Sequence, residues 1–236
     1  MGLTQTQEYY LQTMGVEVYW SRNRVIDEPV SNSDEEKTAS ARVPETSSQE
    51  SKSWRDLQQR VASCQQCELH RGRTQTVFGV GDHQADWLII GEAPGAEEDR
   101  QGEPFVGRAG KLLNSMLFAL GLQREQVFIA NILKCRPPNN RDPKPEEVIA
   151  CSSYLRKQID LLQPKIILAV GRIAAQNLMK TETPIGKMRG RRYQYADTGI
   201  PVVVTYHPAY LLRSPREKRK AWQDLQLAMR VYQETA

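Results

Sequence analysis

Polar residues of three different chemistries follow short apolar runs of this sequence. Glu92, Asn131 and His207 each come just after such a run, and Gly171 follows a further one. Because the carboxyl ends of parallel strands meet along one edge of a sheet, we expect these residues to lie close together in a crevice. A carboxylate, an amide and an imidazole in one crevice indicate a site for acid–base and hydrogen-bonding chemistry.

The loop after the first of these runs is rich in Gly, Pro and carboxylates. It leads from the run at 87–90 through Glu98 to an isolated aromatic residue, Phe105, ahead of a helix predicted to begin near Arg108. Loops attached to buried strands frequently carry the functional residues of α/β proteins. The alternative is an ordinary connection with a solvated acidic face, since most loops between a strand and a helix carry no site.

The four cysteines of the chain have the spacing of a metal site. Cys64 and Cys67 form a C-x2-C pair, Cys135 follows the second apolar run, and Cys151 lies in the next predicted helix. Use of all four leaves no cysteine over, which favours one four-thiolate site. The spacing alone fits zinc and a 4Fe–4S cluster equally well. Four buried, reduced cysteines without a metal are the remaining alternative.

Strands and helices alternate along residues 54–236. Apolar runs predict the strands, and amphipathic stretches bounded by helix-start and helix-stop residues predict the helices between them. The predicted strands are 87–90, 127–130, 166–170 and 201–205, and the predicted helices are 54–63, 108–120, 145–162, 172–180 and 217–233. This alternation is typical of the α/β class, with a parallel sheet covered by helices on both faces.

The first 53 residues differ in composition from the rest of the chain. Residues 30–53 are polar and Ser-rich, which predicts a disordered linker. Residues 1–29 precede it, and the apolar and aromatic side chains of 8–20 predict either a docking segment for a protein partner or a segment that folds back onto the domain at 54–236. Residues 1–53 hold 5 Lys and Arg against 9 Asp and Glu, and the remaining residues hold 27 against 19. A basic domain on an acidic tether is compatible with a polyanionic partner, although excess Lys and Arg often form an ordinary solvated surface.

No part of the sequence predicts a membrane or secretory protein. No apolar run approaches the length that spans a bilayer, and the N-terminus lacks the charged-then-apolar pattern of a signal peptide. We therefore expect a cytoplasmic protein, in which cysteines stay reduced.

Three long motifs resemble those of family-4 uracil-DNA glycosylases of the iron–sulfur type. They are GEAPGAEEDRQGEPFVGRAG, NILKCRPPNNRDP and TYHPAYLLR, and the four cysteines have the spacing of the same family. The resemblance covers residues 54–232. It implies a three-layer α/β/α sandwich around a four-stranded parallel sheet, a 4Fe–4S cluster on the cysteines, and removal of uracil from DNA.

The resemblance also assigns roles in a pocket for a flipped base. Phe105 is expected to stack on the uracil ring, and the Asn131 amide to pair with the 4-oxo group and N3–H that distinguish uracil from cytosine. His207 is expected to bond O2, where negative charge grows as the glycosidic bond breaks. Backbone N–H groups around Glu92 and Ala93 are expected to share that task.

Two residues differ from those at the same positions in better-known branches of the uracil-DNA glycosylases. Ala93 stands where those branches place a side chain that handles the attacking water, and Gly95 stands where they place a ring that excludes thymine. Both features match family 4 itself. They leave Glu92 and Glu98 as the candidates for activating water, with Glu98 alternatively an anchor of its loop.

DNA contacts are expected just after His207. Tyr210, Leu211 and Leu212 are apolar residues suited to filling the gap that a flipped base leaves, and Arg213 is a candidate phosphate contact. Packing beneath the loop is at least an equal expectation for Leu212.

The sequence therefore predicts a monomeric, monofunctional uracil-DNA glycosylase of base-excision repair, acting on single- or double-stranded uracil-containing DNA. One alternative is a protein of the same fold that captures uracil-DNA without turnover. The loop PPNNRDPKP lacks the histidine-containing basic insertion of that branch, which argues against it. The other alternative is an iron–sulfur accessory protein of DNA replication.

Overall fold

The computed structural model describes residues 46–196 and 198–235, which form an α/β fold around one sheet. Its strands are β1 (Val80–Gly81), β2 (Trp87–Gly91), β3 (Phe128–Asn131), β4 (Ile166–Val170), β5 (Arg192–Gln194) and β6 (Pro201–Thr205). Their order is β1-β3-β2-β4-β6-β5. The central four strands are parallel, as predicted, and the short outer strands β1 and β5 pair antiparallel with their neighbours.

Helices cover both faces of the sheet. The α-helices are α1 (Thr46–Ala62), α2 (Ala96–Gln101), α3 (Arg108–Ala119), α4 (Pro145–Leu162), α5 (Arg172–Met179), α6 (Ile185–Met188), α7 (Pro208–Arg213) and α8 (Lys218–Thr235). The bounds of α4 match the prediction. Its Pro lies at the first position, the Glu147 carboxylate accepts a hydrogen bond from the Lys144 backbone N–H at 2.8 Å, and Gln163 ends the helix with a φ of 48°.

Two apolar layers form because alternate side chains of a strand point to opposite faces. In β2, Leu88 and Ile90 pack with α1, α4 and α5, whereas Trp87 and Ile89 pack with α3, α7 and α8. The central strands are buried along their whole length, as expected when helices cover both faces. The predicted three-layer sandwich is confirmed.

Helix α1 begins earlier than the sequence predicted. Residues 46–53, the last eight of the predicted linker, are helical. No Pro or Gly interrupts this stretch, and a helix fixed downstream by buried Trp54, Leu57 and Val61 extends toward the N-terminus at little further cost. The predicted docking segment at 1–29, and residues 30–45 of the linker, lie outside the described residues.

Within residues 46–196 and 198–235, no helix is both long and apolar enough to cross a bilayer.

Candidate functional site

The ends of the parallel strands open into one cavity of about 770 Å³. Glu92 follows β2, Asn131 is the last residue of β3, Gly171 follows β4, and His207 lies two residues beyond β6. All four line this cavity, so the structure brings together the residues that the strand pattern singled out.

Phe105 is held in the cavity by an unusual backbone and by two glycines. Its φ of 55° lies in the left-handed region, which is uncommon for a residue with a side chain. A Cβ on Gly110 would lie 1.7 Å from the Phe105 carbonyl oxygen, and a Cβ on Gly91 would lie 2.6 Å from its Cζ. The ring stacks on His207, with centroids 5.5 Å apart and planes at 29°. These contacts fix an aromatic face at the cavity wall.

Asn131 is positioned from behind by a buried lysine. The Lys134 Nζ donates to the backbone carbonyl of Asn131 at 2.9 Å and to Gln158 Oε1 at 2.6 Å, and Gln158 Nε2 donates to the backbone carbonyl of Phe78 at 2.9 Å. Burial lowers the pKa of Lys134 to about 8. No sequence pattern indicates Lys134 or Gln158, because their juxtaposition depends on the packing of α4.

His207 presents a defined tautomer to the cavity. It is the N-cap residue of α7, and its Nδ1 accepts a hydrogen bond from the Ala209 backbone N–H at 3.1 Å. The other ring nitrogen, Nε2, therefore carries the proton when the ring is neutral. Burial, followed by the positive charge of Arg213, lowers the pKa of His207 to about 4, against a raising effect of Glu98. At neutral pH the ring is thus an uncharged donor.

Glu92 is a half-buried carboxyl group with a shifted pKa. Its pKa is raised to about 7, chiefly by burial and further by the negative charge of Asp142, against the lowering effect of Arg172. Among the described residues the Glu92 carboxylate has no hydrogen-bond partner. A carboxyl group with a pKa near neutrality suits general acid–base chemistry.

The Glu98 carboxylate is hydrogen-bonded within its own loop. Its Oε1 accepts hydrogen bonds from the backbone N–H groups of Val106 at 3.1 Å and Gly107 at 3.3 Å. These bonds tie α2 to the segment that carries Phe105. The geometry therefore matches the alternative of a loop anchor, although Glu98 also lines the cavity.

The two leucines of the helix after His207 differ in burial from what the sequence predicted. Leu211 was predicted to contact DNA, but it is 1% exposed and packs in the core with α3 and α8. Pro208 and Leu211, three residues apart, share the buried face of α7, so Tyr210 and Leu212 point outward with 37% and 36% exposure. Tyr210 and Arg213 line the cavity, as does Ala93.

The four cysteines line a second, smaller cavity between α1 and α4. Cys64, Cys67, Cys135 and Cys151 all border it. Two of the sulfurs already accept hydrogen bonds, Cys135 Sγ from Arg73 Nη1 at 3.1 Å and Cys151 Sγ from the Lys134 backbone N–H at 3.3 Å. In the part of the chain that the structure describes, no group of three or more His, Cys, Asp and Glu side chains is placed to hold a metal ion.

A charged pair that no sequence pattern indicates also lines the cavity at the strand ends. Arg172, the first residue of α5, bonds Asp142 with its Nη2 at 2.5 Å from Oδ2, and both line the cavity beside Glu92. Asp142 lies before α4, so thirty residues separate the partners in sequence. No local pattern connects them.

Comparisons with known proteins place these features in one family. The model of the uracil DNA glycosylase superfamily matches residues 78–226. Relatives named type-4 uracil-DNA glycosylase include those of Archaeoglobus fulgidus, 48% identical over 68% of this chain and 84% of the relative, and Sulfurisphaera tokodaii, 46% identical over 69% and 77%. That of Pyrobaculum aerophilum is 45% identical over 72% and 89%. The chain therefore belongs to the uracil-DNA glycosylase superfamily, as a member of its type-4 family.

Proposed function

We propose that the protein hydrolyses the N-glycosidic bond of uracil in DNA and so initiates base-excision repair. The observation that carries this proposal is the single cavity in which a fixed aromatic ring, a buried amide and a neutral imidazole donor meet, in a chain of the type-4 family. The reacting base must leave the helical stack to reach such a cavity.

Phe105 and Asn131 recognise the base in this proposal. The Phe105 ring offers a stacking surface, and Asn131 is a buried residue, 3% exposed, at the end of β3. An amide donates to the 4-oxo group of uracil and accepts from its N3–H. Cytosine offers an amino group and a bare N3 at these positions, so both contacts become like-polarity mismatches. Such mismatches are costly because buried polar groups are left unpaired.

His207 and Glu92 have different roles in the proposed reaction. The Nε2–H of His207 donates to O2, where negative charge grows as the N1–C1′ bond breaks, and backbone N–H groups around Glu92 and Ala93 assist. Glu92 accepts a proton from the attacking water. Glu98 remains the second candidate for that role, but its hydrogen bonds to Val106 and Gly107 favour Glu92.

DNA contacts in this proposal come from the exposed face of α7. Tyr210 and Leu212 fill the space of the flipped nucleotide. Leu211 does not, because it belongs to the core. Arg213, at the end of α7 and on the cavity, contacts a phosphate.

The cysteine cavity fits an iron–sulfur cluster in its donor set. Cys64, Cys67, Cys135 and Cys151 would hold a 4Fe–4S cluster, and the Arg73 and Lys134 N–H groups already point at two of the sulfurs, as hydrogen bonds to cluster sulfurs do. When bound, such a cluster would crosslink the residues after α1 to α4. None of the described residues lines both the cysteine cavity and the cavity that Asn131 lines.

The purified protein should accordingly be brown, with broad absorbance near about 400 nm from thiolate-to-iron charge transfer. Cys135→Ser should remove most of this absorbance and lower the melting temperature, since a crosslink between α1 and α4 is lost. Absorbance, metal content and thermal unfolding of both proteins test this. A colourless, fully active protein containing one zinc ion would contradict the assignment.

Removal of residues 1–45 should leave activity on naked oligonucleotides unchanged. Every residue assigned here to the base, the DNA or the cluster lies between 64 and 213, and the buried residues of α1 begin at Trp54. Steady-state uracil release by the two chains measures the effect. A folded truncated chain that loses most of its activity would make the N-terminal segment part of the enzyme rather than a docking segment for a protein partner in the cytoplasm.

The test of the function is release of free uracil from a single-stranded oligonucleotide in large excess over enzyme. A glycosylase turns over and leaves an abasic strand, which breaks only on later treatment with alkali. Strands with thymine or cytosine at the same position are the controls. Release that stops at one equivalent would indicate a capturing protein, and no release would favour an accessory role in replication.

A further inference from the structure

Two elements that are distant in sequence bring opposite charges to the cavity beside Glu92. Arg172 lies on the first turn of α5, and Asp142 lies in the loop before α4. Their side chains meet at 2.5 Å and are 49% and 63% exposed. Both line the cavity that Glu92 lines. The pair is therefore part of the electrostatic environment of the carboxylate, and it is not part of the proposed contacts to the base.

Both members of the pair are held in place by neighbouring contacts. The Asp142 carbonyl accepts from Arg141 Nη1 at 3.0 Å, and Arg141 in turn bonds both carboxylate oxygens of buried Glu147 at the start of α4. Arg172 also donates from Nη1 to Gln176 Oε1 at 3.3 Å, one turn along α5. These contacts hold the backbone of Asp142 in the loop before α4 and the side chain of Arg172 along α5.

We propose that Asp142 and Arg172 are positioning residues that set the charge of Glu92, and with it the pH range in which uracil is released. This rests on the proposed role of Glu92 as the group that activates water. The two charges act on Glu92 in opposite directions, because the carboxylate of Asp142 disfavours a second negative charge and the guanidinium of Arg172 favours it.

Other charged and titratable groups that line the cavity have partners of their own or act elsewhere. Glu98 accepts from two loop N–H groups, and Arg141 is paired with Glu147. Arg213 acts on His207, whose pKa lies near 4 and so titrates well below Glu92. Tyr206 and Tyr210 complete the titratable lining. Of the charged groups, Asp142 and Arg172 are those whose fields act on Glu92.

Removal of either charge of the ion pair should shift the pH dependence of uracil release, and the two shifts should have opposite signs. In single-turnover uracil release under saturating enzyme, the wild-type rate should fall as the pH drops through about 7, where Glu92 becomes protonated. Asp142→Asn should move this acid limb to lower pH by about half a unit to one unit, and Arg172→Gln should move it to higher pH by a similar amount. Near pH 6 the rate should then be about three- to fivefold above the wild-type rate for Asp142→Asn and about three- to tenfold below it for Arg172→Gln.

Three further variants make the result specific. Arg172→Lys keeps the positive charge and should keep the wild-type limb. Arg192→Gln and Glu234→Gln remove the same charges from a similarly exposed ion pair between β5 and α8, 3.0 Å apart, and should leave the limb in place. Melting temperatures of all variants confirm that each is folded.

The outcomes separate this inference from the function on which it rests. If the pair had only a structural role, removal of either partner would have the same effect. Shifts of the acid limb in the same direction, or no shift in either variant, would therefore overturn the proposed role of the pair. Glu92→Gln should remove the limb at about pH 7. If it retains that limb, Glu92 is not the titrating group, and both its assignment and this inference fail while uracil release itself still stands.

Discussion

His207→Ala is expected to slow single-turnover release of uracil by about a hundredfold or more, with little change in affinity for uracil-containing DNA. The Nε2–H contacts O2, whose charge increases between the ground state and the transition state, so its loss appears in the chemical step. A single donor to such an oxygen contributes about 3–4 kcal/mol, and each 1.4 kcal/mol, approximately, corresponds to a tenfold change in rate. The measurement is a single-turnover time course together with an equilibrium binding curve.

A second variant separates the donor from the helix cap. His207 also caps α7 through Nδ1, and loss of a cap costs about 1 kcal/mol of stability. Serine is a good N-cap residue but cannot reach O2, so His207→Ser should restore the melting temperature and remain slow. If His207→Ala loses binding but keeps its chemical rate, the histidine is a DNA anchor and not a transition-state donor.

Asn131→Asp is expected to lose both rate and selectivity. The aspartate still accepts from N3–H of uracil, but when ionised it has no N–H for the 4-oxo group. One unpaired buried contact costs about 1–3 kcal/mol, which corresponds to a loss of about five- to 150-fold in the rate of uracil release. The ratio of uracil to cytosine release should fall as well, because the carboxylate accepts a hydrogen bond from the cytosine amino group.

Parallel single-turnover assays on uracil and cytosine strands measure both effects. Asn114→Asp makes the same substitution on the exposed face of α3 and serves as the control for added negative charge. A slower Asn131→Asp variant with unchanged selectivity would mean that the amide holds the base without reading it.

The parts of the fold that the sequence predicts are those with a strong apolar pattern. β4 and β6 have the predicted bounds, and α3 and α8 differ by one or two residues, because long buried runs and amphipathic stretches carry the signal. β1 and β5 were not predicted. They are two and three residues long and only partly buried, so no periodicity distinguishes them from loops. Helix α2 was not predicted for the same reason. It is only six residues long and lies in a loop of Gly, Pro and acidic residues.

The sequence predicted which residues lie close together where the topology determines their positions. Glu92, Asn131 and His207 meet because strand ends converge, which follows from alternation of strands and helices alone. Leu211 was placed at the surface because the phase of a six-residue helix cannot be read from so short a stretch. Asp142, Arg172 and Lys134 were absent from the predicted site, since their contacts arise between separate helices and loops.

The site also holds two titratable groups whose environments move their pKa values apart. Burial raises the pKa of Glu92 to about 7 and lowers the pKa of His207 to about 4. Burial disfavours the charged form of each group, so both shifts have the same cause. Near neutral pH the site therefore offers a carboxyl group that exchanges protons readily beside an imidazole that stays neutral, which assigns the base and the donor to different residues.

The protonation state of His207 is the most direct test of this account. Nitrogen NMR of the labelled imidazole, followed from about pH 5 to about pH 8, reports which ring nitrogen carries the proton. We expect Nε2 protonated and Nδ1 unprotonated throughout this range, because the pKa lies near 4 and the Ala209 N–H occupies Nδ1. A ring that titrates near its ordinary pKa of about 6.5, with both nitrogens protonated below it, would contradict the account.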